Sequence, residues 1–180
     1  MTDPNTKNND ATSNDEKNDV DQAQIDFIHG LIKNFKIFNN LQDKNLSLIS
    51  KSSKILSYKI GQPLSKKNII SNNILIILEG KGRILLKSES EISTITKLSK
   101  GSIIGLGSIL RNQACEEVSA STEIKVLSIP DKVVLSLYKE SLSFREFCNS
   151  SIFDGEIADL AEKIIRKSNR TDLRIEDVFN

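Results

Sequence analysis

The sequence predicts a mainly β domain with flanking helices, an α+β chain whose short strands close into a sandwich or barrel. Three features point to it. Apolar residues recur at helical spacing before residue 50. Between residues 54 and 130, short apolar runs follow one another at spacings of roughly 8 to 12 residues with polar turns between them. After Pro130 the apolar period becomes helical again.

Residues 1–24 hold six acids (Asp3, Asp10, Asp15, Glu16, Asp19, Asp21), two lysines and almost no apolar side chain. Such a segment cannot bury enough surface to offset its ordering entropy, so a disordered acidic tail is expected. Ile25, Ile28, Leu31 and Ile32 then follow helical spacing, with Gly30 interrupting or ending the helix. His29, the single histidine, is expected as an exposed or capping residue. Phe38, Leu41, Leu46 and Ile49 continue a short helical region.

The first strand is expected over residues 54–60, ending at Gly61. NILIILEG (73–80) is apolar through its middle and predicts a buried central strand. GRILLK (82–87) is expected to pair with it as a hairpin across Glu79, Gly80, Lys81 and Gly82. In 91–98 the apolar residues Ile92, Ile95 and Leu98 alternate imperfectly, and strands at 102–105 and 123–130 follow. Pro130 and Asp131 form a helix start signal before Val133, Val134, Leu137 and Tyr138, which share a face. A last helix over 152–167 carries an apolar stripe of Phe153, Ile157, Leu160, Ala161, Ile164 and Ile165. That stripe is expected to pack on its own domain or on a partner helix. The expected division is a tail at 1–24, a domain at 25–150, and a helix with a polar tail at 151–180.

Charge and cysteine usage bound the function. The 180 residues carry a net charge of only +1. The tail holds −4 of this, which leaves about +5 on the rest, too little to imply a nucleic-acid partner. No run approaches the roughly 18 apolar residues of a membrane span. The chain is polar from Thr2, so no secretory signal is expected. Cys115 and Cys148 form no metal or CxxC pattern and are expected as buried or half-buried thiols in a reducing cytoplasm.

Five segments, taken in order, resemble the cyclic nucleotide-binding domain, a cupin-like jelly-roll β-roll with N-terminal helices and a hinge helix. IFNNLQDKNLSLIS (37–50) is similar to its opening helix and YKIGQPL (58–64) to its first strand turn. ILIILEGKGRILL (74–86) resembles its isoleucine-leucine-glutamate-glycine segment. LSKGSIIGLGSIL (98–110) resembles its glycine-rich phosphate segment, and ASTEIKVLSIP (120–130) its closing strand. Where the family often has a second glycine before the central strand, this chain has Asn68, Ser71, Asn72 and Asn73. Asparagine tolerates left-handed backbone, so the turn can survive.

The resemblance implies a ligand pocket with altered contents. Gly105, Gly107, Ser108 and Ile109 fall where the family's amides cradle a cyclic phosphate at a helix start. The family's ribose-binding glutamate is replaced by Leu106, which has no acceptor. The slot of its phosphate-gripping arginine falls on Ala114, Cys115 or Glu116, none of them basic. A hydrogen bond to a charged group contributes about 1.5–3 kcal/mol. A carboxylate from Glu116 or Glu117 near the phosphate would add about 3–4 kcal/mol of repulsion at an effective dielectric of about 20. A deficit of about 4 kcal/mol moves a micromolar site to the millimolar range. Arg111 lies nearby in the sequence and could reach in, as could Lys100 or Lys125.

Metal and nucleophile chemistry would need more than His29, so neither catalysis nor a cofactor is expected. The expected function is a non-catalytic regulatory or docking module that does not hold cyclic nucleotide tightly. The alternative is a sensor for a cyclic nucleotide or other small ligand, using Arg111 and the amides of 105–109. The turn ACEEVSAS (114–121) is similar to sensor-like domains fused ahead of cyanobacterial peptide-exporting ABC transporters, which implies a transporter as partner. Self-association through the C-terminal helices is the other partner expected.

Overall fold

The computed structural model describes residues 22–87 and 92–167. Most of the predicted acidic tail and the predicted polar tail after Lys167 lie outside them. The described residues form two compact units, divided between Lys51 and Ser52.

In the first unit, helix α1 (22–32) runs on through Gly30. A single 3-10 turn, Lys36–Phe38, precedes helix α2 (Asp43–Ser52). His29 Nε2 lies 3.3 Å from Asp43 Oδ1 at the start of α2. Asn40 takes a left-handed backbone with φ 68°.

The second unit holds eight strands: β1 (Lys54–Tyr58), β2 (Pro63–Ser65), β3 (Asn73–Glu79), β4 (Gly82–Lys87), β5 (Ile92–Leu98), β6 (Ile103–Ile104), β7 (Val118–Ala120) and β8 (Ile124–Pro130). They build two antiparallel four-stranded sheets, ordered β1-β8-β3-β6 and β2-β7-β4-β5. Because the chain repeatedly switches between sheets, the arrangement is a jelly-roll with helices added, as the sequence predicts.

The hairpin expected between residues 73–80 and 82–87 does not form. Both edges of β3 are taken, by β6 and β8, so no edge is left for β4. Instead β4 pairs with β5 and β7 in the opposite sheet. Residues 79–82 carry the chain across. Gly80 makes the crossing with φ 87°, and a Cβ there would lie 2.9 Å from Ile124 Cα at the start of β8. Glycine is required on both counts.

The imperfect alternation of β5 has a structural cause. Ile84 opposes Thr96 and Leu85 opposes Thr94, so Ile95 is the extra residue of a β-bulge. The bulge turns Ile95 towards the core with Leu98, while Ile92 stays exposed. Asn68 has φ 67°, the left-handed backbone expected of a glycine substitute. The three-residue strands β2 and β7 are too short to carry a readable period, so the sequence pattern does not predict them.

Leu75, Ile77, Ile84, Val118 and Val126 from both sheets fill the roll. The opposite face of β3, with Ile74 and Ile76, is buried as well. Helix α4 (Asp131–Glu140) touches β3 and β8 and presents buried Val133, Val134 and Leu137. Helix α5 (Leu142–Ser150) starts afresh after Ser141, whose hydroxyl accepts from the Phe144 amide at 3.3 Å and caps it. Helix α6 (Asp154–Lys167) packs against β4 and sends Ala158 into the core.

The predicted stripe on α6 is split. Ala161 is fully buried, but Ile157, Leu160 and Ile164 are 36%, 57% and 42% exposed. The face turned inward is instead Gly155, Ala158, Ala161 and Glu162. Small side chains let the helix axis approach closely, and this approach, rather than bulk, decides which face is covered.

Candidate functional site

Strand β6 ends at Ile104, and the next residue, Gly105, turns the chain into helix α3 (Leu106–Arg111) with a φ of 88°. A Cβ at Gly105 would stand 3.2 Å from the Asn73 carbonyl oxygen, so the turn is both left-handed and crowded. Asn112, left-handed at φ 51°, closes the helix. The following loop folds back on α3. The Gln113 amide donates to the Ser108 carbonyl at 3.1 Å, and the Cys115 amide donates to Ser108 Oγ at 3.0 Å.

This return carries Glu116 underneath the start of α3. The Gly105 amide donates to Glu116 Oε1, so a side-chain carboxylate occupies an amide of the glycine-rich turn. The Glu116 backbone is held from the other side, where Ser65 Oγ donates to its carbonyl at 3.3 Å. The side chain is only 7% exposed. Burial pushes the Glu116 carboxyl up to about 7, the Gly105 bond works against this, and the nearby charges of Asp154 and Glu156 add to it.

Helix α6 closes the corner, a feature not read from the sequence. A Cβ added at Gly155 would lie 2.8 Å from the Glu116 carboxyl carbon, and one at Gly107 would lie 3.1 Å from Glu156 Cγ. Glu156 Oε2 accepts from the Phe153 amide at 3.1 Å. Its other oxygen accepts from Arg111 Nε at 2.8 Å, and this partner raises the Arg111 pKa. The signal that could have revealed the approach was Gly155, Ala158 and Ala161, small residues recurring every third position.

The structure therefore brings Gly105, Gly107, Ser108 and Glu116 together, and turns Arg111 towards α6. Leu106 and Ile109 are buried apolar residues of α3. Cys115 is half-buried and its thiol is raised chiefly by burial, with Asp159, Glu116 and Glu156 adding to it. The carbonyl of Glu117 accepts from the Leu85 amide at 2.8 Å, placing it beside β4. Ala114 lines an open cavity of about 460 Å³ between residues 67–70, residues 112–114 and α6. Lys67 and Lys163 reach that cavity and are paired with Glu162 and Asp159. Cys148 is fully buried, which pushes its thiol up to about 11. Among the described residues, no helix is long and apolar enough to cross a membrane.

The sequence profile of the cyclic nucleotide-binding domain matches residues 55–141. No curated protein matches the chain. Several solved structures share the fold. A candidate cyclic nucleotide-binding protein from Geobacter metallireducens is 17% identical, with a TM-score of 0.56 over 78% of this chain and 97% of that one. The regulatory domain of Toxoplasma gondii protein kinase A, solved with cAMP, is 13% identical, with a TM-score of 0.63 over 73% of this chain and 50% of that one. The regulatory subunit of a cAMP-independent protein kinase A from Trypanosoma brucei is 12% identical, with a TM-score of 0.64 over 83% of this chain and 53% of that one. The chain spans about half the length of these two kinase regulators.

Proposed function

This chain carries a cyclic nucleotide-binding-like domain, and we propose that it serves as a non-catalytic regulatory or docking module whose phosphate site is filled by its own Glu116. The bond from the Gly105 amide to the Glu116 carboxylate carries this reading. A cyclic phosphate would have to displace a covalently tethered carboxyl acceptor, whose local concentration far exceeds that of a free ligand. It would also find no acceptor at Leu106, and an Arg111 already engaged with Glu156. The exposed side chains of Ile157, Leu160 and Ile164 on α6 offer a protein partner an apolar face. The resemblance of residues 114–121 to exporter-linked sensor domains makes a peptide transporter on the cytoplasmic side the first partner to test.

Titration calorimetry with cyclic AMP and cyclic GMP at pH 7.5 tests the reading. We expect dissociation constants of about 1 mM or weaker, or no heat. A micromolar constant would overturn it. If Arg111→Ala then abolished that binding, the sensor reading through Arg111 would replace it.

A further inference from the structure

The Glu116 carboxyl sits where α6 closes on α3, among more acids than bases. From α6 it faces Asp154 and Glu156, with Asp159 near the adjoining Cys115 thiol. From α3 it faces the Gly105 amide, and Arg111 of the same helix is spent on Glu156. From β2, Ser65 holds only its backbone carbonyl. Lys67, on the loop after β2, pairs with Glu162, two turns further along α6. Among the described residues no cation pairs with Glu116 itself. On the α6 side Gly155 lies directly against the carboxyl, because even a Cβ there would stand 2.8 Å from its carbon.

We propose that Glu116 is a proton-operated latch for α6: neutral, it lets the helix close over α3; ionised, it repels the first turn of α6 and releases the helix. With Glu116 ionised, the corner holds three carboxylates (Glu116, Asp154, Glu156) against one guanidinium. Protonation removes one charge and keeps the acceptor for the Gly105 amide. The direction follows from linkage. The carboxyl is raised in the closed corner from 4.5 to about 7 and would return to its ordinary value once solvated. A raised pKa favours the closed form at low pH, and this preference is lost as pH rises through about 7. Between those two values the closed-to-open ratio falls by up to about tenfold per pH unit, then levels off. The latch requires no bound nucleotide and no identified partner, so it extends the docking reading without resting on it.

Hydrogen exchange of the full chain, corrected for the intrinsic pH dependence of exchange, tests the latch. Protection of the α6 amides should fall by about tenfold or more between pH 5.5 and 7.5, while β3 and β8 stay protected. In Glu116→Gln the α6 protection should stay at its low-pH level throughout. A flat wild-type profile would overturn the proposal, as would a Glu116→Gln profile that follows the wild type. Loss of protection in β3 in step with α6 would also overturn it, since that is global unfolding. If Glu116→Gln does not fold, Asp154→Asn at an exposed position serves instead. It should move the midpoint to lower pH, and an unmoved midpoint would count against the latch.

Discussion

β3 and α6 are both rich in apolar residues, yet they bury opposite kinds of side chain. β3 buries five successive large residues, Ile74 to Leu78, between the roll interior and α4. α6 buries Gly155, Ala158, Ala161 and Glu162 and leaves Ile157, Leu160 and Ile164 outside. In β3 the covered residues are the ones with the most apolar area to remove from water. In α6 closeness wins, because the helix must reach a carboxyl and the glycine face of α3. The lesson is that burial of bulk builds the scaffold, whereas approach of backbone builds the functional corner.

The largest effect should come from hollowing the scaffold. Ile77 is fully buried in the core, so Ile77→Ala should cost about 2–5 kcal/mol through lost transfer energy and the cavity left behind. Urea unfolding measures this. The pH midpoint for α6 protection should not move, because the substitution lies in the other region. A shifted midpoint would mean that the scaffold and the corner are one energetic unit.

Next in size is the pH term of the corner. The Glu116 carboxyl rises from 4.5 to about 7 on folding, so the native state holds its proton where the unfolded chain has released it. Its contribution is fully present below about 4.5 and is lost as pH rises through about 7. The full span is worth at most about 3–4 kcal/mol, at about 1.4 kcal/mol per pKa unit. Comparing wild type with Glu116→Gln across pH isolates this group from the other titrating residues. The difference should run against the wild type as pH rises, and a difference of the opposite sign would mean that the Gly105 bond outweighs burial.

How much of this was legible in the sequence divides along the same line. The strands are readable because β3 carries an unbroken apolar run from Ile74 to Leu78 and β8 one interrupted only by Lys125 and Ser128, and the start of α4 because proline and aspartate mark it. Ile95 was readable only as a flaw in a pattern, since a bulge shifts the period by one residue. The pairing of β3 is not legible locally, because chain proximity favours a hairpin while the contest for its edges depends on strands much later in the chain. At Glu116 a carboxylate stands where a guanidinium is expected, but the direction in which it points is not legible from the residue itself. That direction depends on Gly155, a residue whose only information is the absence of a side chain.

A smaller effect tests whether that absence matters. Gly155→Ala adds a methyl against the Glu116 carboxyl, an overpacking cost of about 1–3 kcal/mol, offset by about 1 kcal/mol of helix propensity. The net loss should be about 1 kcal/mol. In a Glu116→Ala background the clash disappears, so the same change should be neutral or stabilising. This double-mutant cycle reads the contact between two residues that only the fold brings together. Additive effects would show that α6 does not press on the carboxyl.

The smallest effect concerns Arg111. Its side chain is 42% exposed, and its pair with Glu156 is largely solvent-screened, so Arg111→Ala should cost less than about 1 kcal/mol in urea unfolding. The electrostatic consequence is more telling than the stability. Without the guanidinium, the Glu156 charge acts on Glu116 unopposed and makes ionisation of the buried carboxyl harder. The Glu116 midpoint, followed by carbon-13 NMR of its carboxyl, should therefore move upward while the fold barely weakens. A downward shift would mean that Arg111 does not neutralise this corner, and that α6 is held there by packing of Gly155 and Ala158 rather than by the balance of its charges.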